Sequence, residues 1–220
     1  MKDLNQLIIK FDYDQNFQDE DFYVSKSNSH IFSLLKKWPN WGNNFLNISG
    51  ENYSGKTHLI NIFLKKFKGI KFDSKSLKND DLKKVKIFEN IILEDFGEGI
   101  DEKLMYTLFN IIDQDNKFII VTSIEPIVNI NFSLNDLKSR VKNFLLQNIE
   151  KPDDELMFAL ILKNLSDRQI SLDKKLINYI IKRTERSYGK IVDFIYKIDE
   201  ISLKKKKSID FKIIKEALGE

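Results

Sequence analysis

The sequence contains no cysteine and only 2 histidines, so disulfides and thiolate metal centres are excluded and a zinc site is not expected. It also has little of the two residues that interrupt regular structure, with 8 glycines and 3 prolines in 220 residues. Regular helices and strands joined by short loops are therefore predicted. No apolar run approaches the roughly 18 residues of a membrane span, and the acidic N-terminus lacks a signal-peptide core. We expect a cytoplasmic protein with no membrane partner.

The residues that are present can build a buried core. The chain is 42% hydrophobic and 31% charged, and its length suits one domain of ordinary size with a small second one. A net charge of +3 is too small to indicate nucleic-acid binding by itself. Lysine supplies nearly all of the positive charge, so each arginine is a candidate for a role that needs a planar, bidentate side chain. The arginines are Arg140, Arg168, Arg183 and Arg186.

The first two thirds of the chain have the pattern of a parallel α/β domain. Continuous apolar runs without polar alternation are typical of strands buried on both faces of a sheet. Helical spacing between these runs predicts the crossover helices. Strands are predicted at residues 43–49, 85–96 and 117–123, and helices at residues 22–41, 57–67 and 102–114.

A change of pattern near Pro152 predicts a second, all-helical domain. Every later apolar segment has helical periodicity, and no strand is needed. We therefore predict an N-terminal segment over 1–21, an α/β domain over 22–150 and a helical domain over 151–220. The predicted helices of the last domain cover residues 155–165, 173–185, 188–203 and 210–218.

The stretch GENYSGKT, residues 50–57, fits the phosphate-loop pattern G-x-x-x-x-G-K-[ST]. A predicted strand precedes it and an amphipathic helix follows it, which is the context that separates a functional loop from a chance match. Backbone N–H groups of such a loop hold phosphates, its lysine reaches the β- and γ-phosphates, and its hydroxyl binds Mg²⁺. The predicted nucleotide-binding residues of this segment are Gly50, Tyr53, Ser54, Gly55, Lys56, Thr57 and His58, with Thr57 also a metal ligand.

Polar residues close the next two predicted strands. Glu94 and Asp95 end one of them, where a first acid holds Mg²⁺ and a second polarises the attacking water. Thr122 and Ser123 end the other, and a hydroxyl there, which we assign to Ser123, can contact the γ-phosphate or orient water. The alternative is that both pairs merely terminate strands.

Arg140 follows the third predicted strand by about 20 residues. An arginine at this position can reach across a subunit interface and stabilise the charge that develops during phosphoryl transfer on a neighbour. The alternative is a surface arginine on a helix.

These features in this order resemble the AAA+ module. Residues 22–28, 121–126 and 137–141 are similar to DnaA and its relatives, and residues 196–218 are similar to the end of Hda-type regulatory inactivators of DnaA. The resemblance implies a parallel sheet sandwiched by helices, followed by a small helical lid. It also implies a nucleotide, ADP or ATP with Mg²⁺, and a lid residue that senses it, which aligns best with Lys190, or alternatively with Arg186.

Hda-type proteins begin with a motif that docks on the β sliding clamp, and Gln6, Leu7, Ile9 and Phe11 fit it. An extended peptide can place the three apolar side chains in a groove while the glutamine makes polar contacts. The alternative is a strand that packs on its own domain. The chain ends at Glu220, directly after the predicted lid, so we expect no helix-turn-helix domain of the kind that follows the lid in DnaA.

The resemblance implies a mechanism in trans. The chain would dock on the DNA-loaded clamp, meet DNA only through it, and supply Arg140 to DnaA-bound ATP, which makes it a negative regulator of replication initiation and a possible homo-oligomer. Tyr53, Glu94 and Ile124 depart from the family pattern, so intrinsic ATPase activity is expected to be weak or absent. The alternatives are a DnaC-like helicase loader that uses Asp95 as its base, and an adaptor that binds no nucleotide.

Overall fold

The computed structural model describes residues 22–220, so the predicted clamp-binding residues lie outside the described part of the chain. Within it, five strands form one sheet in the order β2-β3-β4-β1-β5, and every neighbouring pair is parallel. The predicted parallel α/β architecture is confirmed. The strands are β1 (Phe45–Ser49), β2 (Gly69–Asp73), β3 (Asn90–Phe96), β4 (Phe118–Ser123) and β5 (Leu145–Asn148).

Helices connect the strands and then form the C-terminal helical region. In the described residues none of them is both long and apolar enough to cross a bilayer. The helices of the α/β part are α1 (Ser29–Lys36), α2 (Lys56–Lys66), α3 (Leu82–Val85), α4 (Glu102–Gln114) and α5 (Asn135–Val141). Those of the C-terminal region, called the lid below, are α6 (Asp154–Asp167), α7 (Lys174–Ile181), α8 (Tyr188–Lys205) and α9 (Phe211–Leu218).

Each face of the sheet carries its own hydrophobic core. Successive side chains of β3 alternate between the faces, so Ile91 and Leu93 join the core under α4 and α5, while Ile92 joins the core under α1 and α2. Burial on both faces explains why the central strands are continuous apolar runs.

The lid has a core of its own, built from one side of each of its four helices. Met157 and Ile161 of α6 lie there with Ile195 of α8. Leu156 and Tyr188, which lie in the first turns of α6 and α8, instead join the core under α1 and α2. The lid is therefore attached to the α/β part through buried side chains as well as through the chain itself.

The first predicted helix is much shorter than expected. It was predicted over residues 22–41, whereas α1 runs only from Ser29 to Lys36. The side chain of Asn28 accepts a hydrogen bond from the Ser25 N–H and donates one to the Tyr23 carbonyl, which stabilises a turn before the helix. Pro39 disfavours helical backbone at the residue before it and ends the segment on the other side.

The strand predicted over 85–96 was also too long, because Val85 ends the short helix α3 and β3 starts only at Asn90. Two strands, β2 and β5, were not predicted at all. Both lie at an edge of the sheet and have intermediate or exposed residues throughout. They consequently lack the continuous apolar run that identified the central strands.

Candidate phosphate-loop site

The loop of residues 50–57 connects the end of β1 to the start of α2 at the carboxyl edge of the sheet. Its first N–H, that of Gly50, is shared between the carbonyls of Ser123 and Ile124 at 3.1 Å each, which ties the loop to the end of β4. Gly55 precedes α2 with a φ of 91°, a left-handed conformation that favours glycine. The N-terminus of α2 therefore opens directly beneath the loop.

Lys56 is buried at the centre of this loop. Its Nζ donates to the carbonyls of Gly50 at 2.7 Å and Glu51 at 3.0 Å. Burial lowers the pKa of the Lys56 amine from its usual value, while the carboxylates of Asp95 and Glu51 oppose the shift by favouring the charged form. The Lys56 ammonium is thus held by carbonyls of its own loop.

A cavity of about 400 Å³ opens above the loop, between the α/β part and the lid. That volume lies in the range of small-molecule sites. Leu160 and Asn164 of α6 and Ile191 of α8 form its lid side, and Phe22 and Tyr23 form part of its other wall. Sequence-predicted residues that line it are Tyr53, Ser54, Gly55, Lys56, Thr57, His58 and Asp95.

Two buried polar atoms test whether the site suits a nucleotide with Mg²⁺. The Ser54 hydroxyl and Oε1 of Glu94 have no hydrogen-bond partner within residues 22–220. A hydroxyl can donate to a phosphate oxygen, and a carboxylate oxygen can accept from a metal-bound water. Burying such groups without partners is costly, so Ser54, which lines the cavity, fits a phosphate, and Glu94 would reach a metal only through a water. Glu94 does not itself line the cavity, and its other oxygen pairs with Lys71 at 2.9 Å.

Residues 22–220 do not form a metal site by themselves. Across the described residues, no three carboxylate or histidine side chains converge as ligands. A cation here would need the phosphates of a nucleotide to complete its ligand set, with the Thr57 hydroxyl and a water on Glu94 supplied by the chain. Thr57 is exposed to the cavity.

Three other predicted residues lie outside the cavity wall. Ser123 is buried, and its hydroxyl donates to the Glu125 carbonyl at 2.6 Å and accepts from the Asn47 amide at 2.9 Å. Gly50 starts the loop but does not line the cavity, and Lys190 is exposed on the first turn of α8. Arg186, the alternative to Lys190, pairs with Asp154 at 2.7 Å.

Arg140 lies on α5, away from the cavity, and contacts α4. Its guanidinium donates to Asp113 at 2.8 Å and to the side-chain oxygen of Asn110 at 2.5 Å. The arginine side chain is 29% exposed and that of Asp113 is 53% exposed. The guanidinium is thus held on its own chain at the protein surface.

Glu51 is a residue of the site that sequence reasoning missed. Its carboxylate accepts the backbone N–H of Tyr188 and, at 2.8 Å, the hydroxyl of Ser187, so it joins the loop to the N-terminus of α8. The positive end of a helix dipole favours a carboxylate there. The Tyr188 hydroxyl also donates to the Glu150 carbonyl at 3.1 Å. Ser187 before an amphipathic helix is a capping signal in the sequence, but nothing local to Glu51 indicates a partner 137 residues away.

The architecture is similar to that of solved DnaA domains. Domain III of the replication initiation protein DnaA from Thermotoga maritima superposes with a TM-score of 0.73 and 20% identity, covering 94% of this chain and 97% of that domain. A replication initiator DnaA bound to AMPPCP and single-stranded DNA superposes with a TM-score of 0.65 and 22% identity, covering 89% of this chain and 70% of that one. At such identities the likeness shows the fold.

Sequence likeness points to the same group of proteins, although no family model matches the chain. The chromosomal replication initiator DnaA of Borrelia turicatae is 31% identical over 147 residues, which cover 62% of this chain and 30% of that protein. DnaA of Borrelia hermsii is 35% identical over 107 residues, 46% of this chain and 22% of that protein. The chain thus spans less than a third of the length of these relatives. In fold and in sequence, the chain is thus similar to part of DnaA.

Tyr53 carries a backbone strain that a substitution can measure. It has a φ of 66° and a side chain that is 57% exposed. A non-glycine residue in this region costs about 1–2 kcal/mol of stability. Glycine avoids that cost, but it loses about 0.5–1 kcal/mol more chain entropy on folding than other residues do. We expect Tyr53→Gly to raise the free energy of unfolding in urea by about 0.5–1 kcal/mol. Tyr23→Gly, at an exposed residue without positive φ, should lower it; equal losses for both variants would contradict the assignment of strain.

The contact between Glu51 and α8 predicts a local change in hydrogen exchange. Glu51→Ala removes a charge-assisted bond at a helix N-terminus, worth about 1–2 kcal/mol. Amide exchange over residues 188–191 should therefore become about tenfold faster, while exchange in α9 stays unchanged. Glu98→Ala, which removes an exposed acid after β3, is the matched control. Unchanged exchange at the start of α8 would show that the contact does not hold the lid in solution.

Proposed function

We propose that this chain is a negative regulator of replication initiation, which docks on the DNA-loaded β sliding clamp and stimulates ATP hydrolysis by DnaA through Arg140. The likeness to DnaA supports the proposal, because a related AAA+ domain can pack against DnaA as copies of one domain pack head to tail. In that arrangement each interface brings the surface of one domain to the nucleotide of the next.

The observation that carries the proposal is the place of Arg140 in the sheet topology. The phosphate loop lies where β1 ends, at the carboxyl edge. Arg140 comes shortly before β5 begins and pairs with Asp113, which comes shortly before β4 begins, so both lie toward the amino edge. A strand of six residues separates the edges by about 20 Å. This separation supports a role for Arg140 toward a nucleotide bound to another molecule rather than to its own chain.

The contacts of Arg140 are compatible with release to such a partner. An ion pair as exposed as that with Asp113 contributes about 0–1 kcal/mol. A bidentate contact with a phosphate in a desolvated interface is considerably stronger. Docking would thus favour transfer of the guanidinium from Asp113 and Asn110 to the bound ATP. There it would stabilise transition-state charge, an effect worth about 10³–10⁵ in rate.

The chain's own nucleotide, ADP or ATP, would control its shape rather than turn over. Lys56, the Ser54 hydroxyl and the loop N–H groups would hold the phosphates, and Thr57 and Glu94 would hold Mg²⁺, which neutralises phosphate charge. Asp95 lines the cavity and could polarise a water. However, Ser123 is bonded within the protein and Glu94 is paired with Lys71, which supports weak or absent intrinsic hydrolysis. Phosphate binding would draw Lys56 away from the Glu51 carbonyl and so act on the lid.

The proposal predicts the behaviour of DnaA in the presence of this chain. DnaA-bound ATP should turn over faster when both the wild-type chain and DNA-loaded clamp are present, and Arg140→Ala should abolish that stimulation because the transition state loses its arginine. Radiolabelled ATP retained on DnaA measures the effect. Arg140→Lys should restore little of it, since lysine lacks the planar fork.

Two further variants provide controls for this experiment. Arg183→Ala removes a lid arginine that pairs with Glu220, and it should stimulate as the wild type does. Asp113→Ala leaves Arg140 without its acidic partner and should stimulate at least as well. Loss of stimulation in all variants alike, or its absence with the wild type, would reject the proposal. ATP hydrolysis by this chain with DNA, independent of DnaA, would instead favour the helicase-loader alternative.

Clamp docking is tested separately because its residues lie outside the described part of the chain. A peptide of residues 1–14 should bind the β clamp, and Gln6→Ala should weaken binding because the polar anchor of the motif is lost. Fluorescence anisotropy measures the affinity, with Asn5→Ala as the matched control. Equal binding of the Gln6→Ala and wild-type peptides would remove this motif from the proposal.

A further inference from the structure

The end of β3 contains a local irregularity that places Asp95. Leu93 pairs with Val121 of β4, but Phe96 pairs with Ser123, so two residues of β3 stand opposite Thr122 alone. This is a β-bulge, a device that redirects side chains and is frequent beside functional sites. Within the bulge, Asp95 has a φ of 55°, which is in the left-handed region.

The bulge exchanges the faces of the residues that follow it. Leu93 and Phe96 both belong to the core under α4 and α5, although side chains three positions apart in a regular strand would lie on opposite faces. A regular β3 would direct Asp95 into that apolar core, where an unpaired carboxylate is strongly unfavourable. With the bulge, Phe96 enters the core and Asp95 lines the cavity beside Lys56.

Two buried hydroxyls, one in β4 and one directly after β2, satisfy the backbone of the bulge. The Asp95 N–H donates to the Thr122 hydroxyl at 3.3 Å, and the Ser74 hydroxyl donates to the Asp95 carbonyl at 2.8 Å. The Ser74 N–H also donates to the Glu94 carbonyl at 2.9 Å. Ser74 and Thr122 are each 1% exposed. Strained backbone persists only where the surroundings over-determine it, and these bonds provide that restraint.

We propose that Ser74 and Thr122 are positioning residues of the phosphate site: they hold Asp95 in the strained bulge so that its carboxylate faces Lys56 and accepts, as Glu94 would, a hydrogen bond from a water on the Mg²⁺ of a bound nucleotide. The inference rests on the proposed nucleotide site. It adds a restraint from the residue directly after β2, a part of the chain that contributes nothing to the phosphate-loop motif. Neither hydroxyl contacts the cavity, so their effect acts entirely through Asp95.

Calorimetric titration of the full chain with AMPPCP, in Mg²⁺ and in EDTA, tests this role. We expect Mg²⁺ to increase the affinity of the wild type, and Ser74→Ala to reduce that increase about tenfold, as loss of an outer partner of a metal site does. The affinity of Ser74→Ala for AMPPCP in EDTA should equal that of the wild type, since the loop and Lys56 are intact. Thr122→Val should act like Ser74→Ala, and Thr122→Ser should retain the wild-type increase. Ser76→Ala, an exposed serine two residues further on, is the matched control.

A double-mutant cycle separates positioning from general loss of structure. In an Asp95→Asn background, Ser74→Ala should change the Mg²⁺ effect no further, because both changes remove the same carboxylate contact. Additive effects would show that Ser74 acts independently of Asp95 and would overturn the proposal. The proposal would also be overturned if Mg²⁺ increased the affinity of the Ser74→Ala variant for AMPPCP as much as it does for the wild type. A wild type that binds AMPPCP under neither condition overturns the nucleotide site itself and this role with it.

The backbone restraint is tested by thermal unfolding without nucleotide. Glycine tolerates the left-handed region, so Asp95→Gly should have a Tm about 2–4 °C above that of Asp95→Ala. A lower Tm for Asp95→Gly would show that the bulge does not hold this residue in a left-handed conformation in solution, and would overturn the proposal on structural grounds.

Discussion

The parallel direction of all five strands is the constraint on which the rest of the molecule depends. A parallel sheet must be covered on both faces, so its strands are apolar and its chemistry is confined to the edges. At the carboxyl edge, the loop after β1, the bulge that ends β3 and the lid enclose one cavity. At the amino edge, α4 and α5 hold Arg140. The same strands therefore keep the phosphate loop and the arginine on separate surfaces.

The elements that the sequence identified are those with strong local signals. The central strands and α4 were located because continuous apolar runs and helical periodicity persist over many residues. The phosphate loop was located because its glycines, lysine and threonine must have fixed spacing for a backbone to surround a phosphate. Tyr53 was noted as a departure from the family pattern, and it is a residue with a positive φ in the structure.

What could not be predicted depends on residues that are distant in the sequence. The bulge at Asp95 follows from the register between β3 and β4 and from a serine after β2, and no pattern within β3 reveals it. The contact of Glu51 with α8 joins residues 137 positions apart. The pairing of Arg140 with Asp113 likewise requires α4 and α5 to be packed first. Edge strands were missed for a different reason, because half-exposed strands need little apolar surface.

Tyr188 fixes the N-terminal end of α8. Its side chain is fixed in the core under α1 and α2, and its N–H and hydroxyl are bonded to the loop and to the segment after β5. The 18 residues of α8 extend about 27 Å from that fixed end. If α8 tilted by about 10° about its fixed end, its other end, beside the lysines of residues 204–207, would move by about 5 Å. A small change of geometry at residues 50–57 would thus become a larger displacement at the far end of α8.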